Sequence, residues 1–207
     1  TVPFPTGTVE VTLDGAGIPS YEIRQGVAWD NIPFTPQIEE LARHTRAACF
    51  GSLAQRSPVS HRTIGRFLET MPDGEGQYKV FDINLRQHFY TQQVVEESLR
   101  KCNILKINDE ELAVVGSMFG LEGMQPGEQC RTLLDRYGLR IVILTCGAAG
   151  SSVFAPDTRS YIPTPRVEVA DTVGAGDSFT ASFLAALLSG LGIGEAHRLA
   201  VDVAAHV

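Results

Sequence analysis

Residues 139–145, Leu-Arg-Ile-Val-Ile-Leu-Thr, form a β-branched run that predicts a buried strand. Similar apolar runs occupy 47–53, 78–83 and 104–107. The segments between them open with helix-start signals such as Thr35-Pro36, and they predict helices near 36–45, 58–70, 91–100, 109–117 and 127–137. Strands that alternate with helices indicate an α/β fold with a mostly parallel sheet covered on both faces.

The two ends of the chain add to this pattern. Residues 8–24 alternate apolar and polar side chains around an Asp-Gly-Ala-Gly turn, which predicts an antiparallel hairpin outside the main sheet. A second hairpin is predicted at 152–162, followed by helices at about 175–189 and from about 194. We therefore divide the chain into residues 1–34, a small β flap with its connection, and residues 35–207, an α/β core.

The bulk composition limits the classes of function. The 207 residues are 43% apolar and 20% charged, which is typical of a folded globular domain. The formal net charge of −7 repels nucleic acid and anionic lipid, so neither is an expected partner. No apolar window reaches the length of a membrane span.

The cysteines and the ends of the chain indicate the cellular compartment and the extent of the protein. Cys49, Cys102, Cys130 and Cys146 show no metal-binding spacing, so we expect reduced thiols and a cytoplasmic protein. The five histidines show no ligand spacing either. The chain has no initiator Met and stops inside a predicted helix, so we expect both ends to belong to a longer protein.

Residues 171–179, Asp-Thr-Val-Gly-Ala-Gly-Asp-Ser-Phe, carry the clearest chemical signal. The small residues Gly174, Ala175 and Gly176 let a ligand approach the backbone, and free amides at a helix start attract anions. Asp177 beside them could accept a proton from an alcohol during phosphoryl transfer. The alternative is a capping Asp at a glycine turn, and spacing alone leaves both open.

This run resembles the C-terminal signature of the ribokinase family, also called the PfkB carbohydrate kinases. Three further segments resemble family motifs in the family's order: Phe81-Asp82-Ile83-Asn84-Leu85-Arg86, Lys106-Ile107-Asn108-Asp109-Glu110-Glu111 and Thr145-Cys146-Gly147-Ala148-Ala149-Gly150. The resemblance implies a ribokinase-like three-layer α/β/α fold whose lid is the first hairpin. It also implies ATP as co-substrate, Mg²⁺ as cofactor and K⁺ as an optional monovalent ion.

The resemblance assigns roles to the residues of these motifs. Asp177 would be the catalytic base, and Gly174, Ala175 and Gly176 would form the anion hole. Asn108 and Glu111 would organise phosphate and Mg²⁺ through water, although an ordinary helix cap explains the same pair.

The remaining assignments concern nucleotide, substrate and ions. Thr145 and Gly147 would lie along the nucleotide, unless they only form a strand-to-hairpin turn. Asp171 and Thr172 would contact substrate, and the backbone carbonyls of Asp171 and Val173 would bind the monovalent cation.

Two residues keep open alternatives. Arg86 either binds a phosphate or pairs with Asp82 or another neighbour. Trp29 is either a sugar platform or, as we favour, a partly buried core aromatic.

The resemblance favours a fructokinase-like sugar kinase that binds a sugar and ATP. The alternatives are a 2-keto-3-deoxygluconate kinase or a ribokinase and, from another class, a non-catalytic nucleotide or sugar sensor. A Rossmann oxidoreductase is disfavoured because the dinucleotide fingerprint is missing. The family's N-terminal glycine stretch and its final adenine loops do not occur in these residues. The lid's apolar face predicts a homodimer.

Overall fold

The first described element is the small antiparallel sheet. The computed structural model describes residues 1–13, 19–165 and 174–206. Strands β1 (Val9–Leu13) and β2 (Pro19–Ile23) pair with Val9 opposite Ile23 and Val11 opposite Tyr21. The predicted first hairpin is therefore confirmed.

The larger sheet holds six strands in the described part of the chain. They follow one another in space in chain order: β3 (Ala47–Phe50), β4 (Tyr78–Asp82), β5 (Ile104–Asn108), β6 (Ile141–Thr145), β7 (Ser151–Ala155) and β8 (Thr158–Ile162). Strands β3 to β6 are parallel, and the β7–β8 hairpin adds two antiparallel strands. Because parallel strands all end at the same side, the carboxyl ends of β3 to β6 lie along one edge of the sheet.

Several helices begin and end at capping residues. They are α1 (Pro36–His44), α2 (Pro58–Thr70), α3 (Gln92–Lys101), α4 (Asp109–Met118), α5 (Pro126–Tyr137), α6 (Ala175–Leu188) and α7 (Ile193–Ala204). The Thr35 hydroxyl accepts the Ile38 amide at the start of α1, where proline occupies the first position. Helix α5 ends at Gly138 in the left-handed conformation, with φ 63°.

The sheet is covered on both faces. One face, which includes Phe81, Leu105 and Leu144, packs against the buried side chains of α3, α4 and α5. The opposite face, which includes Val80 and Ile143, packs against α6 and α7. The architecture is therefore three layers, as the alternation predicts. Within the described ranges, no helix combines the length and apolar character needed to cross a membrane.

Two predicted strands are longer than the observed ones. Leu139 donates its amide to the Leu134 carbonyl and so closes the end of α5, and strand β6 begins only at Ile141. Strand β3 ends at Phe50, and a 3-10 turn at Leu53–Gln55 follows. In both segments, apolar residues that serve in turns resemble strand residues in sequence.

Candidate active site

Polar side chains converge where β4, β5 and β6 end. Asp82 on β4 is in register with Lys106 on β5, and Asn108 at the end of β5 is in register with Thr145 on β6. The three motifs that contain these residues therefore meet at the carboxyl edge of the sheet, where open α/β sheets bind ligands.

The first turn of α6 lies beside this edge. Gly174 precedes the helix with φ 90°, a left-handed conformation that favours glycine, and its carbonyl accepts the Ser178 amide at 2.8 Å. Gly176 and Asp177 are exposed on this turn. The first amides of a helix have no partner within it, so this turn presents donors and a carboxylate to solvent. That geometry matches the predicted anion hole and base, whose roles stay predictions.

Asn108 and Glu111 form a reciprocal cap on α4. The Asn108 Oδ1 atom accepts the Glu111 amide at 2.8 Å, and Glu111 Oε2 accepts the Asn108 amide at 3.0 Å. Glu111 Oε1 also accepts the Leu85 amide at 3.0 Å, which ties the loop after β4 to the start of α4. The helix-cap alternative is therefore confirmed for this pair, and it does not conflict with a role at a ligand.

These contacts limit how Glu111 could hold Mg²⁺. Its side chain is buried and both oxygens already accept backbone amides. A carboxylate so engaged fits Mg²⁺ through water better than by direct coordination, because Mg²⁺ keeps several waters and uses few protein ligands. Among the described residues, no three His, Cys, Asp or Glu side chains form a metal cluster.

Thr145 is the last residue of β6, and Gly147 lies in the turn that follows. Gly147 has φ 49° and begins a 3-10 turn, and its carbonyl accepts the Thr164 hydroxyl. Gly150 closes the turn with φ 105°, and a Cβ at this position would lie 2.5 Å from the Ile162 carbonyl oxygen. The strand-to-hairpin turn is therefore present, and Gly147 is exposed within it.

The structure excludes one of the alternatives for Arg86. Its guanidinium is exposed and donates only to its own loop among the described residues, to the Leu85 carbonyl at 3.1 Å and the Asn84 Oδ1 atom at 3.3 Å. Pairing with Asp82 is wrong, because Asp82 pairs with Lys106 instead. The predicted phosphate role of Arg86 stays a prediction. Asp171, Thr172 and Val173, with their predicted substrate and cation roles, lie outside the described residues.

Sequence reasoning missed a buried polar cluster under the first turn of α6. Lys106 Nζ lies 3.0 Å from both carboxylate oxygens of Asp82, and the Thr180 hydroxyl donates to Asp82 Oδ2 at 2.8 Å. The signal was a single lysine inside the apolar run Ile104–Ile107, since a lysine buried in a strand needs a partner.

The charges of Asp82 and Lys106 also affect the pKa of Cys49 on strand β3. Its side chain is exposed, yet crowding by neighbouring atoms and then the negative charges of Asp82 and Asp177 raise the pKa of its thiol to about 11, against an opposing effect of Lys106. Burial by these atoms is the largest cause of this rise, and the charges of Asp82 and Asp177 add to it.

The base of the hairpin is held by Arg56. Its guanidinium stacks 4.1 Å from the Trp29 ring centre and 4.6 Å from that of Phe89, bonds both oxygens of Asp30, and donates to the Arg24 carbonyl. Trp29 is thus half-buried against Arg56, which is the partly buried state that we favoured. Burial alone would raise the pKa of Asp30, but hydrogen bonds from Arg56 and Val27 hold it below its usual value.

Comparison with known proteins identifies the family. Residues 59–207 match the model of the pfkB family carbohydrate kinases. The chain belongs to this family. It is 31% identical over 160 residues to a fructokinase of Rhizobium leguminosarum bv. trifolii, which covers 74% of this chain and 46% of the relative. It is 27% identical over 189 residues to a putative sugar kinase of Pyrococcus horikoshii, covering 88% of this chain and 56% of the relative. It thus spans about half the length of these relatives.

Solved structures agree with the pfkB assignment at the level of fold. A putative ribokinase II from E. coli superposes with a TM-score of 0.83 at 18% identity, covering 98% of this chain and 65% of that one. A fructokinase from Xylella fastidiosa with bound ATP superposes with a TM-score of 0.80 at 18% identity, covering 99% and 68%. The ribokinase-like fold predicted from the motifs is therefore confirmed.

Proposed function

We propose that this chain carries the phosphoryl-transfer centre of an ATP-dependent sugar kinase. The observation that supports it best is the exposed carboxylate of Asp177 on the first turn of α6, three residues after the left-handed Gly174 and beside the carboxyl edge of the sheet. This arrangement puts a proton acceptor next to unpartnered backbone amides, which are the two groups that transfer to an alcohol requires.

In the proposed reaction, Asp177 accepts the proton of a sugar hydroxyl. The hydroxyl oxygen then forms a bond to the γ-phosphorus of ATP while the bond from that phosphorus to the β–γ bridging oxygen breaks, and ADP leaves. The amides of Gly174, Ala175 and Gly176 donate to the phosphoryl oxygens and stabilise their charge as it redistributes. Positioned amides at a helix start need little rearrangement for this task.

The nucleotide would extend from α6 across the strand ends. Asn108, Thr145 and the exposed Gly147 would lie along that path, and the exposed Arg86 on the neighbouring loop would turn toward a phosphate. Glu111 would hold Mg²⁺ through water. When bound, Mg²⁺ would neutralise phosphate charge. Backbone carbonyls of Asp171 and Val173 would hold K⁺.

We propose fructose as the first substrate to test. The support is the relative at 31% identity that is named fructokinase, together with the motif resemblance. Other relatives carry the names aminoimidazole riboside kinase, nucleoside kinase and 5-dehydro-2-deoxygluconokinase, so the test needs a panel of acceptors.

We also propose that the hairpin acts as a lid and as a dimer contact. Val9, Val11 and Tyr21 share one face of it and each is more than half exposed, at 54%, 55% and 54%. Covering these side chains with a second copy would remove apolar area from water. A molar mass of one chain at all concentrations in light scattering would contradict the dimer.

The decisive experiment measures ADP release by the protein expressed from its complete reading frame. Acceptors are fructose, ribose, 2-keto-3-deoxygluconate and adenosine. Asp177→Asn is expected to lower kcat by about 10²- to 10⁴-fold, the usual contribution of a general base. Asp157→Asn, an exposed aspartate in the β7–β8 turn, is the matched control. Unchanged turnover in Asp177→Asn would refute the mechanism, and ATP binding without turnover of any acceptor would favour the sensor.

A further inference from the structure

The cluster of Asp82, Lys106 and Thr180 lies directly beneath the proposed catalytic turn. These side chains are only 5%, 7% and 6% exposed. Asp82 contributes from β4, Lys106 from β5 and Thr180 from α6, so three elements that are distant in sequence meet at one carboxylate. Asp82 accepts from both other members, at 3.0 Å from Lys106 and 2.8 Å from Thr180.

Stability alone is a weak reason for this cluster. A buried ion pair loses its hydration, and an apolar pair of similar volume often stabilises a fold as well or better. The surrounding strand positions are apolar and tightly packed, so an apolar pair would suit the site. The presence of the cluster is therefore better explained by the part of the fold that it holds in place.

It holds the first turn of α6. The Thr180 hydroxyl shares its one proton between Asp82 Oδ2 at 2.8 Å and the Gly176 carbonyl at 3.0 Å, so it links the sheet to the backbone of that turn. Lys106 Nζ lies 3.4 Å from where a Cβ on Gly176 would be. Asp177 is the next residue, and Thr180 follows it by one helical turn on the same side of α6.

The charge of Lys106 also suits an anion at this turn. An ammonium group near the start of a helix adds to the partial positive charge of the helix end. Without an anion, the Asp82 carboxylate offsets that charge at 3.0 Å. A phosphoryl group at the Gly176 amide would be attracted by the helix end, and the Asp82 carboxylate would still offset most of the Lys106 charge.

We propose that Asp82, Lys106 and Thr180 form the positioning network of Asp177 and the anion hole. The network fixes the first turn of α6 against the ends of β4 and β5, so that base and amides keep one geometry relative to bound ATP. It contacts neither substrate nor the reacting atoms in this role. The inference rests on the proposed kinase function for its effect on turnover, but not for its effect on the helix.

The first test compares hydroxyl variants of α6 in the protein from the complete reading frame. Thr180→Val keeps the shape but removes the link to Asp82, and Thr180→Ser restores a hydroxyl. Ser182→Ala is the matched control, because the Ser182 hydroxyl donates at 2.7 Å to the Ser178 carbonyl within the same helix. We expect kcat to fall at least about tenfold in Thr180→Val with KM for the sugar within twofold, because small displacements of a catalytic group cost that much or more.

Rescue distinguishes positioning from general damage. Thr180→Ser and Ser182→Ala are expected to keep kcat within about threefold of the parent, since the link survives in both. A folded Thr180→Val protein with unchanged kcat would overturn the proposal, as would an equal loss in Ser182→Ala.

The charge pair needs its own variants. Lys106→Met leaves a buried, unpaired Asp82 and is expected to unfold or weaken the protein. The double variant Asp82→Asn with Lys106→Met removes both charges together and is expected to fold. We expect this double variant to lose kcat at least about tenfold at an unchanged KM for the sugar. A folded double variant with parental kcat would overturn the role of the pair.

Amide hydrogen exchange makes the test independent of activity. Peptides that cover residues 174–183 are expected to exchange at least about tenfold faster in Thr180→Val, and at the parental rate in Ser182→Ala. If the parent protein phosphorylates no acceptor, the proposed function fails while this measurement still decides the network. Parental exchange in Thr180→Val would refute the network whatever the activity.

Discussion

Acid should destabilise this protein through one buried histidine. His197 on α7 is fully buried, its Nε2 atom lies 2.8 Å from the Ser151 hydroxyl, and its Nδ1 atom lies 2.8 Å from that of Ser160. Burial, with a smaller effect of the Arg198 charge, lowers the pKa of His197 from 6.5 to about 4. The imidazole is therefore neutral in the folded protein at pH 5 but mostly protonated in the unfolded chain.

The sign and size of the effect follow from proton linkage. Below pH 6.5 the unfolded chain binds a proton that the folded state does not, so stability falls as pH falls toward the folded pKa. With these two pKa values, the loss relative to neutral pH is about 2 kcal/mol at pH 5 and about 3 kcal/mol at pH 4. About one pH unit above 6.5 and beyond, both states are neutral at this residue, and no dependence on His197 is expected.

The assay is urea unfolding at pH 7, 6, 5 and 4 on the parent, His197→Gln and His206→Gln. His197→Gln is expected to lower stability at neutral pH by removing buried hydrogen bonds, and to flatten the dependence between pH 6.5 and 4. His206 is exposed and bonds only the Asp202 carbonyl among the described residues, so His206→Gln should keep the parental slope. An undiminished slope in His197→Gln would refute the assignment.

Three further perturbations test other parts of the fold. Gly138→Ala should cost about 1–2 kcal/mol, because Gly138 has a left-handed backbone. Gly150→Ala should destabilise more, because only its Cβ would clash with a carbonyl, at 2.5 Å. Equal melting temperatures of the two variants would contradict this. Arg56→Ala should cost about 3–5 kcal/mol in urea unfolding, because it leaves the buried Asp30 carboxylate without its charge partner. Arg43→Ala removes only an exposed ion pair within helix α1 and should cost under about 0.5 kcal/mol. Iodoacetamide should alkylate Cys49 at pH 7.5 about 100-fold more slowly than free cysteine, because burial and neighbouring carboxylates raise the pKa of its thiol to about 11. A comparable rate by mass spectrometry would contradict the raised pKa.

Local signals predicted most of the helices and strands. Thr35-Pro36 indicated the start of α1, and the Asn108 and Glu111 pair indicated the start of α4, because caps act within four residues of chain. The motif residues also reach the carboxyl edge of the sheet, since parallel strands place their ends together.

Contacts between distant segments could not be predicted in the same way. Which cation faces Asp82 depends on the register of β4 with β5, and that register selects Lys106 and not the nearby Arg86. His197 meets Ser151 across 46 residues of sequence, and Arg56 meets Asp30 across 26. No spacing rule covers such separations, so only packing of the whole domain determines them.

The contacts of Arg56 at the base of the hairpin limit how far the hairpin can move. Its contacts reach from Asp30 and Trp29 to the Arg24 carbonyl, so the polypeptide from residue 24 to residue 30 moves with the body of the protein. If the hairpin acts as the proposed lid, its opening would bend the chain outward of Arg24. The proposed lid would then move over a short distance, because Arg56 holds the chain at its base.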